Sequence, residues 1–282
     1  MTLANSFFRL AALAMGLSLV ATTVTAAPFL SINFDSQNLG DPVATSFPGV
    51  PPYPITEAYA TGGFPDTPPY SGTNTVASPA GLTKAALMST TQGGIGANYL
   101  DTQFLITNPQ ISFDFDINVV DVPATGLPQP TASAPNGQAF AIQAFAFDSN
   151  RVWRFAVTPT SATTGQFAMR NNTDGDLIAF AAYTEGETYH LSIVSNYATN
   201  TVDVSLDGNP VLTNLPFVTV QPLNGGMAEF FFFQNGIEGL TNQVAVDNIV
   251  GVPEPSSLVL AGLTALGMVF VARHRRLRVG AR

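Results

Sequence analysis

The sequence predicts an all-β chain, an antiparallel β-sandwich set between two apolar ends. Three observations predict it. Alternating apolar and polar residues recur from about residue 100, as in Ile111-Ser112-Phe113-Asp114-Phe115-Asp116-Ile117, and period two places successive side chains on opposite faces of a strand. Turn dipeptides separate the runs: Asp174-Gly175, Glu185-Gly186, Asp207-Gly208 and Asn224-Gly225. Such pairs supply the positive φ that tight hairpins need. Between the two ends no amphipathic helical period occurs, and many short strands at roughly 8–12-residue spacing mean a sandwich.

The elements follow in order. Residues 28–36 read as a short strand. Residues 40–81 are rich in Pro, Gly, Ser, Thr and Tyr and read as a long irregular surface segment. Strands are expected over 111–117, 139–147, 152–158, 165–170, 177–183, 188–194, 201–206, 228–233 and 243–250. The last but one contains Phe230-Phe231-Phe232-Phe233. Both faces of that strand must be covered, or it becomes an aggregation hazard. Residues 27–251 are thus expected to form one sandwich domain.

The ends carry address signals. Arg9 precedes an apolar run from Leu10 to Val20, and Val24-Thr25-Ala26 offers small residues before a cut. That order is a secretory signal peptide over 1–26, with a short signal helix and cleavage between Ala26 and Ala27. At the other end Pro253-Glu254-Pro255 leads into an apolar stretch. The expected transmembrane helix, 256–272, has 17 residues and spans roughly 26 Å, enough for a thin bilayer core. Arg273, Arg275, Arg276 and Arg278 in the basic tail 273–282 act as a cytoplasmic stop. Each proline of the triplet disfavours helix in the residue before it. The segment therefore stays extended, as a processing enzyme requires.

The Pro253-Glu254-Pro255 triplet, the apolar helix with Gly262 and Gly267, and the arginine-rich end resemble the PEP-CTERM sorting signal of Gram-negative bacteria. The resemblance covers 252–282. It implies export through the secretion translocon, a membrane-inserted intermediate, and recognition by an exosortase, a membrane transpeptidase-like enzyme that cuts near the triplet. It further implies a destination at the cell surface or extracellular matrix, in company with exopolysaccharide and biofilm. A second resemblance lies in the body. Gly186-Glu187-Thr188-Tyr189-His190-Leu191-Ser192-Ile193-Val194, followed by Thr201 to Gly208, is similar to a hairpin of concanavalin A-like jelly rolls. That fold hosts lectins, glycosidases and adhesive modules alike, so it does not choose a function.

Charge and composition exclude several classes. The chain has 19 acidic and 10 basic residues. All the acids lie between Asp35 and Glu254, where the only cations are Lys84, Arg151, Arg154 and Arg170, so this stretch carries a charge near −15. An acidic body argues against nucleic acid and anionic lipid as partners. The absence of cysteine excludes disulfides and thiolate chemistry.

Candidate site residues are few. Asp114 and Asp116 share a strand face, but the opposite face is aromatic, which reads as a strand with one wet side rather than a catalytic pair. The Glu-x-Asp-x-x-Glu strand of concanavalin-like glycosidases has no counterpart, and Gly186 breaks the Glu185/Glu187 pair. Calcium takes six to eight oxygens. Asp174 and Asp176 lie in an oxygen-rich loop that also reads as a hairpin turn. Asp35 and Asp247 close the first and last strands, and by analogy with jelly-roll carbohydrate-binding modules they would hold a structural calcium. His190 stands alone and cannot build a histidine-based zinc site. Trp153 is either a sugar platform or a core residue. These readings together lead to a non-enzymatic structural or adhesive module. The alternatives are a glycan-binding or glycan-active domain and a permanently anchored envelope protein.

Overall fold

A computed structural model describes residues 28, 30–43, 72–146, 151–170, 176–218 and 226–253. The expected signal peptide with Ala26 and Ala27, the 256–272 helix, Arg273 to Arg278, Glu254, Pro255 and Asp174 all lie outside these residues. Among the described residues no helix is long and apolar enough to cross a membrane.

The described residues form fourteen strands in two antiparallel sheets. In chain order they are β1 (Leu30–Ile32), β2 (Thr73–Ala77), β3 (Ala85–Thr90), β4 (Gly94–Thr107), β5 (Gln110–Asp121), β6 (Phe140–Ala146) and β7 (Arg151–Pro159). Then follow β8 (Thr164–Arg170), β9 (Leu177–Thr184), β10 (Thr188–Asn196), β11 (Thr201–Leu206), β12 (Asn209–Pro216), β13 (Gly226–Gly236) and β14 (Asn242–Pro253). The eight-stranded sheet runs β12-β11-β10-β5-β14-β3-β2, with β1 also on β14; the six-stranded sheet runs β4-β13-β6-β7-β8-β9. The all-β sandwich expected from the sequence is therefore present.

Four strands, β2, β3, β4 and β12, are additions to the expected map. β2 lies inside the stretch read as irregular; its run Thr73-Asn74-Thr75-Val76-Ala77 has too few apolar residues to show a period, and it holds a sheet edge. β3 and the start of β4 precede residue 100, about where alternation becomes visible. The glycine-rich start of β4 hides it, because glycine marks strands weakly. β12 begins and ends with proline-bearing dipeptides, Asn209-Pro210 and Leu215-Pro216, and it is an edge strand. Proline is tolerated there because an edge N–H needs no partner.

The core lies between the sheets and is aromatic. Phe113 and Phe115 of β5 meet Trp153 and Phe155 of β7 and Phe230 of β13. The Phe113–Phe230 ring centroids are 3.7 Å apart, and Phe115 meets Phe155 edge-on at 5.8 Å. The four-phenylalanine run resolves as its alternation requires. Phe230 and Phe232 join this core, while Phe231 and Phe233 join a smaller cluster on the opposite face with Phe145, Ala134, Ala141, Ala156, Ala168 and Leu177. At one end a buried amide seam links the sheets. Asn98 Nδ2 donates to Asn74 Oδ1 at 2.9 Å and to Gln234 Oε1 at 3.1 Å, and Asn242 Nδ2 donates to the Ala139 carbonyl at 2.8 Å. Buried amides must find such partners, since an unmade bond costs about 1–3 kcal/mol.

Candidate functional site

The outer face of the eight-stranded sheet is acidic, and its carboxylates are engaged. Asp114 and Asp116 do share that face, as their spacing on β5 predicts. Ser112 Oγ donates to Asp114 at 2.9 Å. Asp116 pairs with His190 Nδ1 at 2.7 Å and accepts Asn248 Nδ2 at 2.7 Å. The register explains the first contact: Asp116 stands opposite His190 on one side and Asp247 on the other. Asp203 and Asp207 accept the backbone N–H groups of Asn214 and His190 at 2.7 and 2.9 Å.

Asp35 and Asp247 come into the same region, at the seam where β1 ends and β3 begins along β14. Asp35 accepts the Thr83 hydroxyl at 3.2 Å. Asp247 is 2% exposed and its Oδ1 has no partner. Burial, then the charges of Asp35 and Asp116, push its carboxyl up to about 6. The neighbouring turn already holds a cation: Lys84 Nζ donates to the Asp35 and Gln37 carbonyls at 2.7 and 2.6 Å. Among the described residues no three acidic or histidine side chains converge on a metal position. Asp176 sits before β9, where the Ser133 hydroxyl donates to it at 2.9 Å and holds its carboxyl below the ordinary range.

Trp153 lies in the core. It is 1% exposed, packs on Phe113 and Phe230 with centroids 5.8 Å away, and its Nε1 donates to Ser195 Oγ at 3.0 Å. A ring enclosed on both faces with its polar handle satisfied has no surface to offer a sugar. Its core reading is the one the structure supports.

The outer face of the six-stranded sheet holds the constellation that sequence reasoning missed. Arg151, Arg154 and Arg170 gather there, and they are all the arginines between the two apolar ends. On a regular strand Arg151 and Arg154, three apart, face opposite sides. The β6–β7 register shifts between Ala144↔Trp153 and Phe145↔Arg151, which leaves Val152 as an extra residue and turns Arg151 outward. Arg170 follows from the register of β7 with β8: Phe155 opposes Met169, so the next outward pair is Arg154 beside Arg170.

Neutral groups hold these guanidinium ions. Arg151 Nε donates to Gln143 Oε1, and Arg154 Nη2 donates to the Oε1 atoms of Gln129 and Gln138. The Arg154 guanidinium lies 5.0 Å over the Phe233 ring, and Arg151 lies 5.7 Å over Phe145. Among the described residues no carboxylate pairs with any of the three. Burial, reinforced by the neighbouring arginines, pushes Arg154 down to about 9; burial and the charge of Arg170 push Arg151 down to about 10. Both remain cationic at neutral pH.

The fold and its end now define the class: a β-sandwich whose final strand runs into a sorting signal. Residues 251–276 match the PEP-CTERM protein-sorting motif, which marks an exported chain handled by exosortase. Comparison with curated proteins finds no match. Among solved structures, alginate lyase Aly36B is similar at 15% identity and a TM-score of 0.48, over 80% of this chain and 98% of that one. A sialidase is similar at 15% identity and a TM-score of 0.43, over 62% of this chain and 16% of its own length. A Trypanosoma rangeli sialidase gives 11% identity and a TM-score of 0.40, over 65% of this chain and 27% of its own. These are likenesses of the sandwich fold.

Proposed function

We propose that the protein is a surface or matrix module of a Gram-negative envelope, structural or adhesive rather than enzymatic, and associated with exopolysaccharide. The secretion translocon exports it, its C-terminal helix holds it briefly in the membrane, and exosortase then cuts near Pro253-Glu254-Pro255. One observation carries this reading. The sorting motif begins at Gly251, while Gly251, Val252 and Pro253 are still paired in β14 with Phe113, Ser112 and Ile111. The paired part of β14 thus reaches Pro253, the first residue of the triplet. The non-enzymatic part draws support from the acidic face, where Asp114 and Asp116 are each occupied by structural partners.

Intact-mass analysis of the protein recovered from the outer surface of its host tests the proposal. The expected species begins at Ala27 and ends between Pro253 and Ser256, with any added mass identifying an attached group. A surface species that retains Leu258 to Arg282 overturns release by exosortase and leaves a membrane-anchored sandwich.

A further inference from the structure

We infer that Arg151 and Arg170, partly exposed on the outer face of the six-stranded sheet, form a binding site for an acidic polysaccharide whose sugar carboxylates sit on their guanidinium forks, with Arg154 buried beside them and adding its charge. The inference deepens the surface-module reading by naming a ligand class and its seat.

The charge distribution is the first argument. A body near −15 keeps three of its four cations on one face of one sheet. The fourth, Lys84, is spent on backbone carbonyls elsewhere. Like charges set side by side on adjacent strands repel. A purely structural arginine is expected to stand beside a carboxylate, and this chain has many to offer. Here the partners among the described residues are amide oxygens and aromatic rings. Such neighbours fix the position of a guanidinium without cancelling its charge.

The second argument is desolvation. Arg154 is 6% exposed, yet its Nε has no partner, and the Nε of Arg170 is likewise buried and unpaired. Donors left unmade in a low-dielectric setting are costly, and their uncancelled charge is felt more strongly by an anion at the open side of the cluster. The depressed values of Arg151 and Arg154 agree with this: burial works on them without a counter-ion to offset it. Arg151 and Arg170 stay partly exposed and mark the open side of the cluster.

The third argument is local geometry. The extra residue at Val152 is what brings Arg151 to the outer face, and further register shifts fall nearby, at Met227/Glu229 and at Phe167/Ala168. Bulges gather where a sheet re-aims side chains. The chemistry then selects the ligand. Arginine presents a planar fork that matches carboxylate geometry. Phe145, half-buried beneath Arg151, adds an apolar surface beside the charge, which suits the mixed character of a uronate sugar. The acidic remainder of the body gives no long-range attraction for a polyanion, so binding must come from this short-range docking and must weaken with salt.

Affinity electrophoresis and calorimetry of the full-length chain in mild detergent, with polygalacturonate as probe, test the site. Dextran serves as the neutral control and dextran sulfate as the sulfated one. The expected result is binding to polygalacturonate, none to dextran, and at least a roughly tenfold loss in Arg170→Gln. Arg170 lies at a strand end, so its variant keeps the test valid even where the more buried Arg154→Gln fails to fold. Equal binding to dextran, or unchanged affinity in Arg170→Gln, overturns the inference. Binding confined to dextran sulfate overturns the carboxylate assignment. A chain that binds none of the polymers, and whose melting temperature falls in Arg170→Gln, shows a structural ion-pair cluster instead. The assay needs no C-terminal processing, so failure here and a retained tail are separate results.

Discussion

Asp247 illustrates how one side chain can set the pH response of a sandwich. It lies on β14, beside Asp116 of β5, at the place where β1 gives way to β3. Its carboxylate accepts the backbone N–H groups of Asn248 and Phe34, but burial outweighs them and its folded value rises from 3.8 to about 6. An acid whose value is raised on folding binds more protons in the folded state than in the unfolded one between those two values. Stability therefore falls as pH rises from about 4 to about 6, and the ionised form stays costly above that. At 1.36 kcal/mol per unit the cost reaches at most about 3 kcal/mol. Asp247→Asn keeps an acceptor for both N–H groups and removes the charge. Its expected effect is a higher melting temperature at pH 7.5 and no gain at pH 4, read by thermal unfolding at both. An equal gain at both values would mean that the charge is not the cause.

Elements show a second kind of dependence, in which a loop governs a sheet face. Residues 122–138 cross the outer side of the six-stranded sheet: Ala134 packs into the cluster with Ala141, Ala156 and Ala168, and Gln129 and Gln138 reach Arg154. Gly137 closes this loop at φ +83, and a Cβ there would meet the Leu127 carbonyl oxygen at 2.1 Å. Backbone cannot yield as a side chain can, so Gly137→Ala is expected to cost at least about 2 kcal/mol. A lowered urea midpoint checks it, and a weaker grip on polygalacturonate should accompany it. The same region marks the limit of what pattern reading reaches. β5 and β10 were legible because each buries one face and wets the other over most of its length, which writes period two into the sequence. The turn that ends β11 was legible for an added reason, since Asp207 and Gly208 both adopt the positive φ that their identities favour. β2, β4 and β12 are edge strands with proline, glycine or polar runs, and an edge leaves little pattern. The arginine face was hidden because it depends on a bulge. Arg151 and Arg154 read as opposite-facing until the register of β6 shows Val152 displaced. Trp153 was undecided for the same reason, because its position relative to Arg151 rests on that extra residue.

At the scale of the molecule, the chain's last strand is among its most central. β14 runs between β5 on one side and β3 and β1 on the other, so the final residues of the body complete the eight-stranded sheet. A protein cut near its C-terminus must keep that strand whole. The ladder with β5 ends at Pro253↔Ile111, and the ladder with β1 ends at Gly251↔Leu30. Release at the triplet spares every one of these pairs, whereas a cut a few residues earlier removes the entire β1 contact and half of the β5 contact. Two truncated chains should therefore behave differently. One spanning 28–253 is expected to unfold cooperatively, with a melting temperature within a few degrees of the surface-released protein. One spanning 28–247 loses Ile249 from the core and leaves β1 without its partner strand. Burying an Ile-sized side chain contributes about 1.5–3 kcal/mol, and the lost backbone pairing adds to that. Against a total stability of about 5–15 kcal/mol, the shorter chain is expected to lose its cooperative transition, read by calorimetry. Equal melting of the two chains would show that β14 beyond Asp247 is dispensable, and the position of the triplet would then carry no structural logic.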